Sequence, residues 1–227
     1  MPTNDPTKRR AIYKTMRVYA GSSNRPLAQK IADILGVELS GLALEQFANG
    51  EIYARYEETV RGADVFLIQS IAGENVNDML MEVLVAADAA KRASARSITA
   101  VITHYGYARQ DRKAAPREPI TARLVADLLE CSGVNNIITL DLHQGQIVGF
   151  FNIPVNHLSA LPLFADYYNA MDLDKDNLVV VSPDVGRAKA AKKLSDMLDC
   201  DLAIAHKSRP KHNQAEVMGI IGDIKGK

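Results

Sequence analysis

Polar side chains that could take part in chemistry follow an apolar run in the segment 141–154. The run 137–140 leads directly into Asp141, His143 and Gln144, with glycines close behind. In an open α/β sheet, ligands bind outside the carboxyl ends of the strands, where the sheet holds side chains at the rim of a crevice. Asp141 and His143 are two residues apart, so strand alternation predicts that both point the same way. Taken alone, the segment is equally consistent with a helix cap and a turn.

A second apolar run ends in the same manner. The run 178–181 is followed by Ser182, Pro183, Asp184 and Gly186. Because two strand ends carry acidic residues and glycines, a ligand site becomes a better interpretation than two unrelated turns.

An aromatic residue stands beside polar groups in the segment 47–51. Phe47 begins it, and Asn49 and Glu51 follow within four residues. A β-turn with a surface carboxylate is the favoured interpretation of this segment when it is taken alone.

Two further segments are rich in cations. The segment 105–119 follows the apolar run 98–102, and it holds four cations between Arg109 and Arg117. A mobile cationic loop at a strand end suits phosphate chemistry, where catalysis depends on positioning and charge stabilisation. The segment 206–212 is also basic and directly follows a predicted strand. The structural alternative for 105–119 is a solvated loop. The structural alternative for 206–212 is a basic hairpin tip.

The composition indicates an ordinary globular protein. Of the 227 residues, 47% are hydrophobic, and 27 Lys and Arg balance 27 Asp and Glu, so no global field attracts nucleic acid or a membrane. Cys131 and Cys200 lack a CxxC spacing, which favours reduced thiols in a cytosolic protein. No apolar run approaches the length of a membrane span, and the N-terminal segment lacks the apolar stretch of a secretory signal. We therefore expect a cytoplasmic protein.

The elements that must position these clusters alternate along the chain. Strands followed by helices in repetition predict parallel pairing with right-handed crossovers, and hence an α/β fold. The predicted strands are 18–20, 42–44, 52–56, 65–69, 98–102, 137–140, 178–181, 201–205 and 217–221, and the predicted helices are 26–35, 75–92, 121–129, 161–169 and 186–198.

This pattern restarts after residue 156, which predicts two α/β lobes. We expect an N-terminal lobe over 16–156, a C-terminal lobe over 157–227, and a disordered polar extension over 1–15.

The motifs together resemble one family. They are FANGE (47–51), RGAD (61–64), YARQDRK (107–113), REPITA (117–122), DLHQGQIVGFFNIP (141–154), SPDVG (182–186) and KSRP (207–210). Their order is similar to that of ribose-phosphate diphosphokinase, also called phosphoribosyl pyrophosphate synthetase. The resemblance implies two lobes like type I phosphoribosyltransferases, with mainly parallel sheets, in a homo-oligomer that is usually a hexamer. It also implies transfer of the β,γ-diphosphoryl group of ATP to the C1 hydroxyl of ribose 5-phosphate, with Mg²⁺ as cofactor, AMP as product, and phosphate or ADP as candidate allosteric effectors.

Carried over to this sequence, the resemblance implies an adenine site. Phe47 of a neighbouring subunit and Arg109 would hold the two faces of the base, and Asn49 and Glu51 would bind its polar edge. Arg109 is also expected among the catalytic cations.

The resemblance likewise implies a phosphate and metal site. Gln110 and His143 would lie along the phosphates of ATP, and His143 and Asp184 match the metal positions of the family. Asp184 is the stronger metal candidate because Mg²⁺ prefers oxygen ligands. Lys207 and Arg209 match the pair that neutralises charge on the transferred group.

Three positions depart from the usual pattern of the family. Asn49 and Asn156 stand where Asp is usual, and Arg187 stands where a second glycine often follows Gly186. A paired glycine allows the backbone to approach a phosphate closely, whereas an arginine could offer a bidentate side-chain contact instead.

A strand and the acidic, Thr- and Gly-rich loop that binds the 5-phosphate in the family have no counterpart in the sequence. We therefore expect an incomplete second lobe in a C-terminally incomplete member. The alternative function is a non-catalytic nucleotide-binding or regulatory subunit, or a truncated remnant, of the same family. A phosphoribosyltransferase is disfavoured, because FANGE and YARQDRK belong to the ATP-using family.

Overall fold

The computed structural model describes residues 16–171, 173–211 and 214–227, and the side chains of 207–218 lie outside that description. The predicted disordered extension, 1–15, is also outside the described residues. The chain divides into two compact units after Leu158, and each unit is described by itself.

The first unit is built on a parallel sheet of five strands in the order β1-β4-β5-β6-β7. The strands are β1 (Met16–Ala20), β4 (Asp64–Ser70), β5 (Ser97–His104), β6 (Asn136–Leu140) and β7 (Val155–Leu158). Their central residues form an apolar core because a parallel sheet is covered on both faces. Leu67, Ile102 and Ile137 are fully buried at its centre. The predicted α/β fold with a mainly parallel sheet is confirmed.

The first unit contains α-helices close to the predicted ranges 26–35, 75–92 and 121–129. They are α1 (Arg25–Leu35), α2 (Val76–Arg92) and α3 (Thr121–Ser132). Helix α1 begins where the side chain of Asn24 accepts a hydrogen bond from the Leu27 N–H at 3.3 Å, and it ends at Gly36, whose φ is +68°. Helix α2 buries Leu80, Val83 and Ala87, which belong to the apolar face that the helical spacing predicted.

A separate two-stranded sheet is formed by β2 (Leu42–Gln46) and β3 (Ile52–Tyr56). The strands pair antiparallel from Leu42 opposite Tyr56 to Gln46 opposite Ile52. The Tyr56 hydroxyl donates to the carbonyl oxygen of Ala86 in α2 at 2.9 Å, and its ring meets Tyr19 edge-on at 4.6 Å. These contacts fix the base of the hairpin against the core and leave the turn between its strands at the surface.

The second unit contains a three-stranded sheet in the order β10-β9-β8, with two helices. Its elements are α4 (Leu161–Asn169), β8 (Val179–Ser182), α5 (Ala188–Leu198), β9 (Asp201–Lys211) and β10 (Gln214–Ile221). Strands β8 and β9 pair parallel, whereas β9 and β10 pair antiparallel. The prediction that the basic segment 206–212 follows a strand is wrong for 206–211, because pairing with β10 extends β9 to Lys211.

Within the described residues, no helix combines the length and the apolar character that a membrane span requires.

Candidate functional site

The segment 47–51 is the turn of the β2–β3 hairpin. The Phe47 N–H donates to the Glu51 carbonyl oxygen at 2.9 Å, and the Gly50 N–H donates to the Phe47 carbonyl oxygen at 2.8 Å. Gly50 has a φ of +88°, a conformation that glycine adopts without strain. The Asn49 side-chain oxygen accepts from the Glu51 N–H at 3.2 Å. The carbonyl half of the Asn49 carboxamide therefore holds the turn closed.

The ring of Phe47 is the exposed apolar feature of this turn. Half of the residue, 50%, is accessible to solvent, and the ring lies against Tyr53 with centroids 5.9 Å apart. An exposed aromatic ring supported on one side by a second ring offers a face on which a planar base can stack. Within the described residues, no hydrogen bond or ring contact joins the segment 47–51 to Arg109 or Gln110.

The residues that lead from β5 into the cationic segment anchor it to the core. Tyr105 is 2% exposed, and its hydroxyl donates to the Ala122 carbonyl oxygen at 3.0 Å. Burial raises the pKa of Tyr105, and the charge of Asp127 raises it further. At Gly106 an added Cβ would lie 2.4 Å from Cγ2 of Ile71, so any side chain there would force Ile71 or the backbone to move. Tyr105 and Gly106 thus anchor the start of the cationic segment at the buried end of β5.

Tyr107 continues this anchoring. Its φ of +63° lies in the left-handed region, which is uncommon for a residue with a side chain. The Tyr107 hydroxyl is hydrogen-bonded to the side-chain oxygen of Asn77 in α2. The backbone direction immediately before Arg109 is therefore set by a contact to a helix distant in sequence.

Gln110 is held by the first turn of α3. Its carbonyl oxygen accepts from the Ala122 N–H at 3.1 Å, and its side-chain oxygen accepts from the Thr121 hydroxyl. The adjoining Arg109 is exposed. The cationic segment thus begins in a fixed position.

The rest of the cationic segment is ordered by a carboxylate. Oε2 of Glu118 accepts from the N–H groups of Ala114 and Ala115, each at 2.8 Å. These bonds close a local turn and place one acidic side chain among the cations.

The segment after β6 turns away sharply from the strand. Strand β6 ends at Leu140, and Asp141 has a φ of +40°. The strand-alternation argument for Asp141 and His143 is therefore wrong in its premise, because extended geometry ends before either residue. The Leu142 N–H donates to Nε2 of His157 at 3.0 Å, and His143 itself is half-buried.

Parallel pairing brings two of these segments to the same edge of the sheet. Strands β5 and β6 are neighbours, with Ile102 opposite Thr139. Both strands end towards that edge, so Arg109, Gln110 and His143 follow adjacent carboxyl ends, where ligands bind in open α/β sheets.

A second polar cluster, which the sequence did not indicate, lies at the ends of β1 and β4. Gln69 is fully buried, and its Nε2 donates to the Glu82 carboxylate at 2.6 Å. Its side-chain oxygen accepts from the Ser23 hydroxyl at 2.6 Å, and the Ser22 N–H donates to Glu82 at 3.0 Å. These groups satisfy one another, so the cluster ties the segment after β1 to β4 and α2 and needs no ligand.

In the second unit, Asp184 caps the short 3₁₀ turn Val185–Arg187. Its Oδ1 accepts from the Arg187 N–H at 3.0 Å, and its carbonyl oxygen accepts from the buried Ser182 hydroxyl at 2.7 Å. Lys207 and Arg209 belong to β9, and their side chains lie outside the described residues. Their predicted charge-neutralising role therefore stays a prediction.

The donor types of the predicted metal residues fit Mg²⁺ unequally. A carboxylate such as Asp184 supplies the oxygen ligands that Mg²⁺ prefers, whereas the His143 imidazole is a weaker match. Among the residues that the structure describes, no cluster of three or more His, Cys, Asp or Glu side chains could hold a metal ion by itself. A Mg²⁺ ion held by Asp184 would thus need further oxygen ligands, such as water or phosphate.

Sequence reasoning missed the residues that support this site. Thr121 lies within the REPITA motif, but only its hydrogen bond to Gln110 indicates a role. No sequence signal distinguished His157 or Asn77, because each acts through a contact to a segment distant in the chain.

Comparison with known proteins places these features in context. Residues 16–133 match the model of the N-terminal domain of ribose phosphate pyrophosphokinase. The ribose-phosphate pyrophosphokinase of Fusobacterium nucleatum is 52% identical over 215 residues, which cover 95% of this chain and 68% of the relative. Ribose-phosphate pyrophosphokinase 2 of Enterococcus faecalis is 53% identical over 212 residues, which cover 93% of this chain and 65% of the relative.

A solved structure agrees with these matches. The crystal structure of phosphoribosylpyrophosphate synthetase from Mycobacterium smegmatis is 45% identical, with a TM-score of 0.82, over 90% of this chain and 67% of that one. This chain thus spans about two thirds of the length of its relatives.

Proposed function

The chain belongs to the ribose-phosphate pyrophosphokinase family, and we propose that it transfers the diphosphoryl group of ATP to ribose 5-phosphate. The products are 5-phosphoribosyl 1-diphosphate and AMP, and the reaction serves nucleotide biosynthesis. The observation that carries the proposal is the placement of Arg109, Gln110 and His143 at adjacent carboxyl ends of one parallel sheet. Family membership makes the chain part of a transferase, and no observation favours a non-catalytic role.

The adenine of ATP stacks on the exposed ring of Phe47, with Arg109 on its other face. Phe47 is proposed to come from a neighbouring subunit, and within the described residues no hydrogen bond or ring contact joins it to Arg109 of the same chain. Asn49 donates to the base through its amide N–H₂ group, because the Asn49 side-chain oxygen already accepts from the Glu51 N–H. Glu51 accepts from the base edge. This arrangement requires a homo-oligomer, for which a hexamer is the proposed form.

The phosphates of ATP lie along Gln110 and His143. Asp184 would hold Mg²⁺ through a carboxylate oxygen, and the ion would supply positive charge to neutralise the phosphate oxygens. His143 is proposed separately as a weaker metal candidate, because Mg²⁺ prefers oxygen ligands. Arg109, Lys207 and Arg209 stabilise the additional charge that develops on the diphosphoryl group during transfer. Phosphate and ADP are proposed as allosteric effectors, and the cytoplasm as the location.

The proposal is tested by AMP release from ATP, ribose 5-phosphate and Mg²⁺. Because the chain spans about two thirds of its relatives, the assay uses both the chain itself and a fusion that adds the remaining C-terminal portion of the Fusobacterium nucleatum relative. We expect AMP release by the fusion that depends on both substrates. Arg109→Ala should abolish it, whereas Arg25→Ala, at the start of α1, should not. A folded fusion that neither binds ATP nor releases AMP contradicts the proposal.

A further inference from the structure

We propose that Thr121 is a positioning residue that orients the carboxamide of Gln110 towards an anion. Its hydroxyl occupies the side-chain oxygen of Gln110 and thereby turns the N–H₂ group to the ligand side. The inference rests on the proposed function, since it takes that anion to be the triphosphate of ATP.

Three hydrogen bonds join the segment 105–110 to the first turn of α3. The Tyr105 hydroxyl donates to the Ala122 carbonyl oxygen at 3.0 Å, and the Ala122 N–H donates to the Gln110 carbonyl oxygen at 3.1 Å. The third bond runs from the Thr121 hydroxyl to Oε1 of Gln110. The first two bonds fix the backbone of Gln110, and the third fixes its side chain.

The position of the Thr121 hydroxyl is itself well determined. Thr121 is the first residue of α3, and the neighbouring Ala122 is fully buried. The branched Cβ of threonine restricts its χ1 rotamers, so few hydroxyl positions are accessible. A rigid helix turn therefore supports an otherwise exposed glutamine.

The hydrogen bond to Oε1 of Gln110 determines which end of the Gln110 carboxamide is available to a ligand. A glutamine carboxamide has an acceptor and a two-hydrogen donor, and only the donor attracts a phosphate. Among the described residues, Nε2 of Gln110 has no hydrogen-bond partner, and the side chain is exposed. Arg109, Arg112 and Lys113 add positive charge to the same segment. Without the Thr121 hydroxyl, the carboxamide could rotate and present its oxygen to the anion.

The experiment compares Thr121→Val, Thr121→Ser and Gln110→Ala, with binding of ATP and of adenosine measured by calorimetry. Valine keeps the shape of threonine but loses the hydroxyl, whereas serine keeps the hydroxyl. We expect Thr121→Val to weaken ATP binding about threefold to tenfold, as expected for one lost hydrogen bond. Adenosine affinity should not change, and Thr121→Ser should stay within about twofold of the parent chain, because its hydroxyl still reaches Gln110.

The double variant Thr121→Val with Gln110→Ala provides the sharper test. If Thr121 acts through Gln110, the double variant should bind ATP no more weakly than Gln110→Ala alone. Additive losses, or a parallel loss of adenosine affinity, would show that Thr121 only supports the fold and would overturn the proposal. Thermal unfolding of each variant identifies a general folding defect, and if Thr121→Val shows one, Thr121→Ala, which also lacks the hydroxyl, supplies the test in a folded chain.

Two further outcomes separate this proposal from the proposed function. If the parent chain binds ATP but Gln110→Ala binds it equally well, the positioning proposal is wrong and the proposed function stands. If neither the folded parent chain nor the folded fusion binds ATP, both are overturned.

Discussion

The backbone N–H of Leu142 donates a hydrogen bond to Nε2 of His157 at 3.0 Å. The bond joins the segment leaving β6 to the neighbouring strand β7, one residue before His143. Nε2 of His157 is the acceptor in this bond, so the imidazole holds the Leu142 N–H through a ring nitrogen lone pair. His157 therefore fixes the backbone from which the side chain of His143 extends.

Replacing His157 by leucine should both destabilise the first unit and weaken ATP binding. The loss of one hydrogen bond to the Leu142 N–H should lower the free energy of unfolding by about 0.5–1.5 kcal/mol. Urea denaturation and calorimetry measure the two effects. His157→Gln, which keeps a side-chain acceptor, is the matched control and should retain most of the stability and most of the ATP affinity. Equal losses of stability and affinity in the two variants would contradict the role of His157 in holding the segment before His143.

Replacing Phe47 by alanine should weaken ATP binding with little effect on stability. Loss of a stacking ring should cost about 1–3 kcal/mol of binding free energy, as in base stacking elsewhere, whereas the ring is half exposed in the chain. Phe47→Tyr keeps the ring and serves as the control in calorimetry.

The origin of Phe47 from a neighbouring subunit can be tested with mixed oligomers. Co-expression of Phe47→Ala chains with Arg109→Ala chains should restore some high-affinity ATP sites, because a site between subunits can then combine two intact residues. If both residues act within one chain, no mixing can restore a site, and ATP titration would show only weak binding.

Replacing Gly106 by alanine should destabilise the first unit. The added Cβ would lie 2.4 Å from Cγ2 of the buried Ile71 and 3.1 Å from its carbonyl oxygen. Overpacking of this kind costs about 1–3 kcal/mol, measurable by urea denaturation. Gly145→Ala is the matched control, since nothing lies within 4 Å of its added Cβ. Similar stabilities of the two variants would show that the close approach at Gly106 is relieved easily.

Replacing Tyr105 by phenylalanine should change the response to alkaline pH. Burial raises the pKa of Tyr105 in the folded chain, so its stabilising contribution is complete below the ordinary tyrosine pKa of about 10. The contribution is lost as the pH rises above that value, because the unfolded chain then ionises first. The variant should lose about 0.5–1.5 kcal/mol near neutral pH, from the bond to Ala122, and should then lose stability less steeply above pH ~10. Urea denaturation across this range is the measurement, and an unchanged slope would contradict the prediction.

Replacing Lys207 or Arg209 by alanine in the fusion should lower kcat far more than it raises KM for ATP. Charge on the diphosphoryl group is greatest during transfer, so each loss should raise the barrier by about 3–4 kcal/mol. Lys193→Ala, on the exposed face of α5, is the control for a general loss of positive charge. A rise in KM alone would make the two residues ground-state binding groups.

The sequence by itself determined the family and most of the order of elements, but it did not predict strand β7, Val155–Leu158. Helix α2 was predicted over 75–92 and found over Val76–Arg92, because its apolar face recurs at a helical period that depends only on nearby residues. Polar clusters after apolar runs likewise marked the carboxyl ends of β5 and β6. Parallel pairing of these strands then followed from the alternation of strands and helices.

Only the tertiary structure decided how the site residues are held. Strand β9 extends to Lys211 because β10 pairs with it, and the turn at Asp141 removes the strand alternation that was expected to point Asp141 and His143 the same way. The supports of the site, from Thr121 to Gln110 and from His157 to Leu142, join segments 11 and 15 residues apart. Hydrophobic periodicity reports which local face is buried, whereas these hydrogen bonds depend on where separate segments meet after the sheet has formed.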